Sequence, residues 1–199
     1  MHIQKIIIGH DHRFGKNRTA TIEDLITFGT QYNFEVEQIS AQEIDEISIS
    51  STKIRTALEE GSIQLANDYL GYDYFLSGTV VKGNQLGRTI GFPTANIVME
   101  EEYKLVPQNG VYVVRAEIEG KTLFGMMNIG FNPTVQGKTK TIEAHFFDFD
   151  TTIYNQHIRV SIVHRIRSEK KFESVELLIE QLKEDRNFSK NYIQNQYNK

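Results

Sequence analysis

Residues 110–129 read GVYVVRAEIEGKTLFGMMNI. Two apolar runs, Gly110 to Ile118 and Thr122 to Ile129, flank Glu119-Gly120-Lys121, which supplies a turn between them. Neither run has helical spacing, so the stretch predicts two antiparallel strands. The same reading extends outward. Phe75 to Val81, Thr141 to Phe149 and His157 to Ile166 are further strand-like runs, with no helical pattern between them. Strand after strand without helices predicts an antiparallel sheet or a small barrel. The chain then enters a long helix, with Ser174 at its N-cap and Val175, Leu178, Ile179 and Leu182 on one face.

Upstream of Tyr72 the period differs. An apolar run from Lys5 to Ile8 ends at Gly9, and Thr21-x-x-Asp24 can cap a helix bearing Leu25, Ile26 and Phe28. Phe34 to Ile39 alternates as a strand does. Ser50, Ser51 and Thr52 precede a helix through Ile54, Ala57 and Leu58 that Gly61 ends, and Ile63 to Leu70 forms another, closed by Gly71. Residues 1–72 therefore read as part of an α/β domain and residues 73–199 as a mainly β domain, with no low-complexity linker between them.

The totals exclude several classes. A chain of 199 residues suits one large domain or two small ones, and 39% hydrophobic with 24% charged residues is too apolar for disorder. With 22 Lys plus Arg against 26 Asp plus Glu, the net charge of −4 argues against a broad nucleic-acid footprint. The absence of cysteine removes disulfides, thiolate zinc sites and a cysteine nucleophile together. No apolar run approaches the ~20 residues of a membrane span, and the start lacks a signal-peptide segment, so a cytoplasmic protein with no membrane partner is expected.

Four stretches carry chemistry-bearing residues. Asn132 to Thr139 superficially matches a phosphate-binding loop, but it begins with Asn and leads into the strand pattern TIEAHFFDF, where such a loop needs a helix N-terminus. Gly83 to Asn96, GNQLGRTIGFPTAN, spaces Gly83, Gly87 and Gly91 four apart beside Lys82 and Arg88. It reads either as a phosphate cradle or as an ordinary glycine-rich connection. Beyond Pro93, Thr94 and Asn96 offer two neutral oxygen donors on alternate residues, suited to a hard cation such as Mg²⁺. On Thr141 to Phe149, alternation puts Glu143, His145 and Phe147 on one face; Glu143 is either a proton acceptor for an alcohol or a solvated carboxylate. Ile166 to Phe172 is either a solvated junction or a pocket edge, braced by Arg167 and Glu169 and closed by Phe172. His10 and His12 have metal-pair spacing without a third ligand.

Taken in order, GRTIGFPTAN (87–96), NGVYVV (109–114), NIGFNPTV (128–135), TIEAHFFDFD (141–150) and IRSEKKF (166–172) resemble the riboflavin kinase family. The resemblance implies a six-stranded Greek-key β-barrel with a C-terminal helix. It also implies transfer of the γ-phosphoryl of ATP to the ribityl 5′-hydroxyl of riboflavin to give FMN. Thr94 and Asn96 would then coordinate Mg²⁺ and phosphate oxygens, Glu143 would be the catalytic base, and the pocket edge of Arg167, Glu169 and Phe172 would meet the flavin. Residues 1–72 resemble the later portion of a Rossmann-like FMN adenylyltransferase domain. GHDHRFGKN (9–17) is similar to its Gly-x-Asp-x-x-Phe-Gly loop, and ISSTKIR (49–55), with Ser50, Ser51, Thr52 and Arg55, to its phosphate-binding motif. That domain ordinarily begins with a His-x-Gly-His type turn that nothing before Lys5 supplies, so FMN formation without FAD synthesis is expected. Two other classes stay open. An oligonucleotide-binding barrel is opposed by the net charge and the lack of a basic aromatic stripe. A catalytically idle flavin- or nucleotide-binding barrel differs only in activity. Oligomeric state is left open.

Overall fold

In the computed structural model the hairpin at residues 110–129 forms as its pattern predicts, its strands paired from Gly110 opposite Ile129 to Ile118 opposite Lys121. The structure describes residues 3–197 except 10–11, 40–42, 45–46, 84, 102 and 135–136, and describes the side chains of neither 41–48 nor 132–139. The elements run β1 (Lys5–Gly9), a 3₁₀ turn (Lys16–Arg18), α1 (Ile22–Tyr32), β2 (Glu35–Ile39), β3 (Glu43–Ile44), β4 (Ile47–Ser48), α2 (Ser51–Glu59) and α3 (Ile63–Leu70). They continue as β5 (Phe75–Val81), α4 (Leu86–Thr89), β6 (Ala95–Met99), β7 (Gly110–Ile118), β8 (Lys121–Thr134), β9 (Gly137–Phe146), β10 (His157–Arg167) and α5 (Val175–Tyr197).

The chain divides into two compact units, residues 1–50 and 51–199. In the first, β1 and β2 pair in parallel across α1, a βαβ arrangement. Thr21 begins α1 as its pattern predicts, its backbone N–H donating to Asp24 Oδ2 at 2.8 Å. In the second, six strands close into an antiparallel barrel in the order β10-β5-β6-β9-β8-β7, a Greek-key connectivity because β9 returns beside β6 and β10 lies between β5 and β7.

This division differs from the change of period near residue 72. Ala57 and Leu58 of α2 and Ile63 and Ala66 of α3 belong to the same apolar cluster as Leu76, Val114, Ile129 and Ile162 inside the barrel. Asn67 of α3 fastens the connection, donating to the Ile162 carbonyl at 2.9 Å and accepting from the Tyr74 N–H at 2.8 Å. An amphipathic helix shows that it has an apolar face but not which partner covers it.

A second apolar layer lies outside the barrel. Phe92, Val111, Met126 and Phe147 pack with Leu182 and Ile193 of α5. This explains why the apolar run Gly110 to Val114 is buried on both faces: inner Tyr112 and Val114 fill the barrel, and outer Val111 meets this second layer. Ser174 caps α5, its Oγ accepting the Leu177 N–H at 3.3 Å. Leu178, Ile179 and Leu182 are partly buried as their spacing predicts, whereas Val175 is exposed. The fully buried side chains of α5 are polar: Asp185 and Ser189.

Candidate functional site

The register of the barrel places one row of side chains across its outer wall. Asn96 on β6 stands opposite Glu143 on β9, which stands opposite Asn128 on β8. Asn128 in turn faces Val111 on β7, and Val111 faces Arg167 on β10. Directly opposed residues on neighbouring strands point to the same side of a sheet, so Asn96, Glu143, Asn128 and Arg167 share one face. β10 reaches this row through a register shift between Arg165 and Arg167; such bulges re-aim side chains next to functional sites. Inward-facing Ile142, Ala144 and Phe146 belong to the barrel core, so the alternation of β9 is as the sequence predicts.

The glycine-rich stretch folds back over this row. Gly91 has φ +82°, a conformation that favours glycine. Gly83 and Gly87 have no such φ and are needed for space: a Cβ on Gly83 would collide with the Asn96 side chain, and one on Gly87 with the Phe92 carbonyl oxygen. The fold-back brings the Thr94 hydroxyl to Glu143, Oγ1 donating toward Oε2 at 3.4 Å. His145, next along that face, is locked behind the loop. Its Nδ1 lies 2.8 Å from the Pro93 carbonyl, and its ring meets Phe92 and Phe147 edge-on at 5.4 and 5.8 Å. Burial holds the ring below the ordinary histidine pKa. The neutral ring therefore carries its proton on Nδ1 and donates it to Pro93.

Two cavities meet at Thr94. One, of about 320 Å³, is lined by Ile90, Phe92, Met126, Phe172, Leu178 and Leu182 among others, with Glu143, Asn128, Arg167 and Glu169 as polar members. The other, of about 490 Å³, joins Arg88 and Thr94 to Asp150, Thr151, Thr152 and Tyr154 over an apolar floor. Of the residues singled out from sequence, Gly87, Thr94, Glu143, Arg167, Glu169 and Phe172 line the first cavity, and Arg88 and Thr94 the second. Lys82, Gly83, Gly91 and Asn96 line neither.

The polar ends of Arg167 and Glu169 are engaged by the protein itself. Arg167 forks onto Asp185, while Glu169 accepts from Asn109 Nδ2 at 3.1 Å and from the Phe131 N–H at 3.3 Å. Ser51 and Thr52 open α2 as expected, and with Arg55 they are exposed; Ser50, also exposed, ends the first unit. The His10 and His12 spacing includes His10, which lies outside the described residues. Asn128 was missed as a site residue. Its signal is relational, since only the pairing of β8 with β9 puts it opposite Glu143.

Fold and site together define a small antiparallel barrel with an acidic group on its outer wall, between a glycine-rich loop and an apolar cavity under the last helix. A family model described as riboflavin kinase matches residues 70–193, and one described as FAD synthetase matches residues 1–53. The chain belongs to the riboflavin kinase family. A bifunctional riboflavin kinase/FMN adenylyltransferase of Listeria monocytogenes is 40% identical over 186 residues, covering 93% of this chain and 59% of that protein. The protein of the same description from Bacillus subtilis is 38% identical over 200 residues, covering 98% and 62%. A solved structure described as a macrolide-efflux protein from Streptococcus pneumoniae superposes with a TM-score of 0.83 at 38% identity, over 93% of this chain and 60% of that one. The chain thus spans about 60% of the length of these relatives. Among the described residues no helix is long and apolar enough to cross a membrane.

Proposed function

We propose that this chain transfers the γ-phosphoryl group of ATP to the 5′-hydroxyl of riboflavin, giving FMN and ADP. The observation that carries this reading is the position of Glu143, within 3.4 Å of the Thr94 hydroxyl and on the wall of an apolar cavity. A carboxylate at the meeting point of a phosphate loop and an apolar pocket can hold an alcohol for in-line attack and accept its proton. The ribityl oxygen then bonds to the γ-phosphorus as the bond to the β–γ bridging oxygen breaks. The proton passes to Glu143, and ADP leaves.

Riboflavin occupies the cavity of Phe92, Phe172, Leu178 and Leu182, and the nucleotide extends from Thr94 and Arg88 into the neighbouring cavity. Gly87, on the wall of the first cavity, would leave the loop backbone open to the phosphates. Thr94 and Asn96 would hold Mg²⁺, which when bound neutralises phosphate charge. Their neutral oxygens, with the Glu143 carboxylate beside them, fit this hard cation. Among the described residues no three His, Cys, Asp or Glu side chains gather into a metal cage, and Mg²⁺ in phosphoryl-transfer sites takes much of its shell from phosphates and water. The cytoplasm, where ATP is supplied, is the compartment this reading implies.

Incubation with riboflavin, ATP and Mg²⁺ followed by chromatographic separation of the flavins tests the proposal. FMN dependent on both ATP and Mg²⁺ is expected. Riboflavin bound but never converted would favour the idle barrel.

A further inference from the structure

The wall that α5 contributes to the flavin cavity is keyed by a carboxylate with no part in the chemistry above. Asp185 is 2% exposed, and acidic side chains are almost never so buried unless paired. Its partner is Arg167. Nε donates to Oδ1 at 2.9 Å and to Oδ2 at 3.1 Å, and Nη2 donates to Oδ2 at 2.7 Å. Gln181 adds a donation to Oδ1 at 3.2 Å, and Arg167 Nη1 donates to the Ser168 carbonyl at 3.1 Å. The guanidinium is therefore gripped from the end of β10 and from α5 at once.

Asp185 does not line the cavity, but the groups on either side of the pair do. Arg167 belongs to the row that carries Glu143 and lines the cavity beside Glu169 and Phe172. Leu182 and Leu178, three and seven residues before Asp185 on the same helix face, line it from above. Apolar contacts alone are non-directional and let a helix slide or roll. A forked Arg–carboxylate pair in a dry setting sets both distance and rotation.

We propose that Asp185 is a positioning residue of this site: by fixing the Arg167 guanidinium it sets the depth and rotation at which α5 presents Leu178 and Leu182 to the flavin. This inference rests on the riboflavin reading, and its test separates the two. Riboflavin binding is measured without ATP by quenching of flavin fluorescence, and turnover is measured separately. Asp185→Asn keeps shape, retains Arg167 and removes the charge. If the correctly set wall is then populated about a tenth of the time, the apparent riboflavin Kd rises about tenfold. The kcat at saturating riboflavin and the KM for Mg-ATP should stay near their unaltered values, the signature of lost binding without lost chemistry.

A paired variant, Arg167→Met with Asp185→Leu, guards against a folding defect, since apolar groups of similar volume commonly support a site vacated by a buried ion pair. It should melt near the unaltered protein and still bind riboflavin about tenfold more weakly. An unchanged riboflavin Kd in either folded variant overturns the proposal. So does a fall in kcat at unchanged Kd, or a paired variant that cannot fold, because the pair would then serve the fold alone. Riboflavin binding by the unaltered chain without FMN formation sinks only the kinase reading, since the binding arm still decides the role of Asp185. No riboflavin binding at all sinks both.

Discussion

Glu143→Gln removes one proton-accepting oxygen and leaves almost everything else in place. Gln matches Glu in length, keeps an acceptor within reach of the Thr94 hydroxyl 3.4 Å away, and sits on a strand already held by its register with β6 and β8. The side chain is only partly exposed, but its neighbours across the row are neutral amides, Asn96 and Asn128, which can pair with a third amide. Stability should therefore change little. Turnover should not survive equally well. General-base assistance contributes roughly 10²–10⁴-fold, equivalent to about 3–5 kcal/mol of barrier at ~1.4 kcal/mol per tenfold. The assay is FMN formation under saturating riboflavin and ATP, with riboflavin binding and the melting temperature measured alongside. Glu117→Gln serves as control: this exposed strand carboxylate accepts the Thr122 hydroxyl at 2.5 Å and lines neither cavity at the site. Equal turnover by Glu143→Gln, Glu117→Gln and the unaltered protein refutes the role of Glu143 as base.

Thr94→Ala and Asn96→Ala should each weaken Mg²⁺-dependent use of ATP while leaving riboflavin binding nearly unchanged, because under the proposed reading each would delete an oxygen ligand from a cation with strict octahedral demands; wild-type turnover by both at limiting Mg²⁺ would show the ligands lie elsewhere. Ile129→Ala empties a fully buried position inside the barrel and should cost about 2–5 kcal/mol in urea unfolding, whereas a loss well below that range would mean the barrel collapses around the gap. Burial holds both His145 and His164 below the ordinary value of 6.5, so below that pH the unfolded chain takes up protons that the folded chain refuses. Their stabilising contribution is present above pH 6.5, falls as pH drops toward the lowered folded pKa values, and levels beneath them. Melting temperatures of His145→Phe and His164→Phe should accordingly decline less between pH 7 and pH 5 than that of the unaltered protein, and parallel curves would contradict the burial argument.

Much of the barrel is legible in the chain because Phe75–Val81 and the start of His157–Arg167 alternate around an apolar interior, while Gly110–Ile118, whose first five residues are all buried, reads as a continuous apolar run bounded by a turn. The sixth strand, Ala95–Met99, is not: it is short, begins directly behind Pro93, and shows Val98 exposed, so its pattern is too brief to separate from the loop before it. Thr94, Asn96 and Glu143 stand out as chemistry-bearing residue types in their local patterns, but their convergence depends on β6 pairing with β9, a contact between segments nearly fifty residues apart. Asp185 illustrates the opposite limit. Read from the sequence it is one more charged residue on an amphipathic helix, and only the guanidinium arriving from β10 makes its burial tolerable. The glycines divide similarly, since the positive φ of Gly91 belongs to a local turn, while the need for Gly83 and Gly87 comes from Asn96 and Phe92 packing against them.

Transfer of label from [γ-³²P]ATP tests the central claim most directly. The chain is incubated with labelled ATP, riboflavin and Mg²⁺, and the flavins are separated from the nucleotides. Label appearing in FMN in proportion to the ADP released is the predicted result. Release of labelled phosphate with no labelled flavin, or ATP left intact beside bound riboflavin, would contradict it.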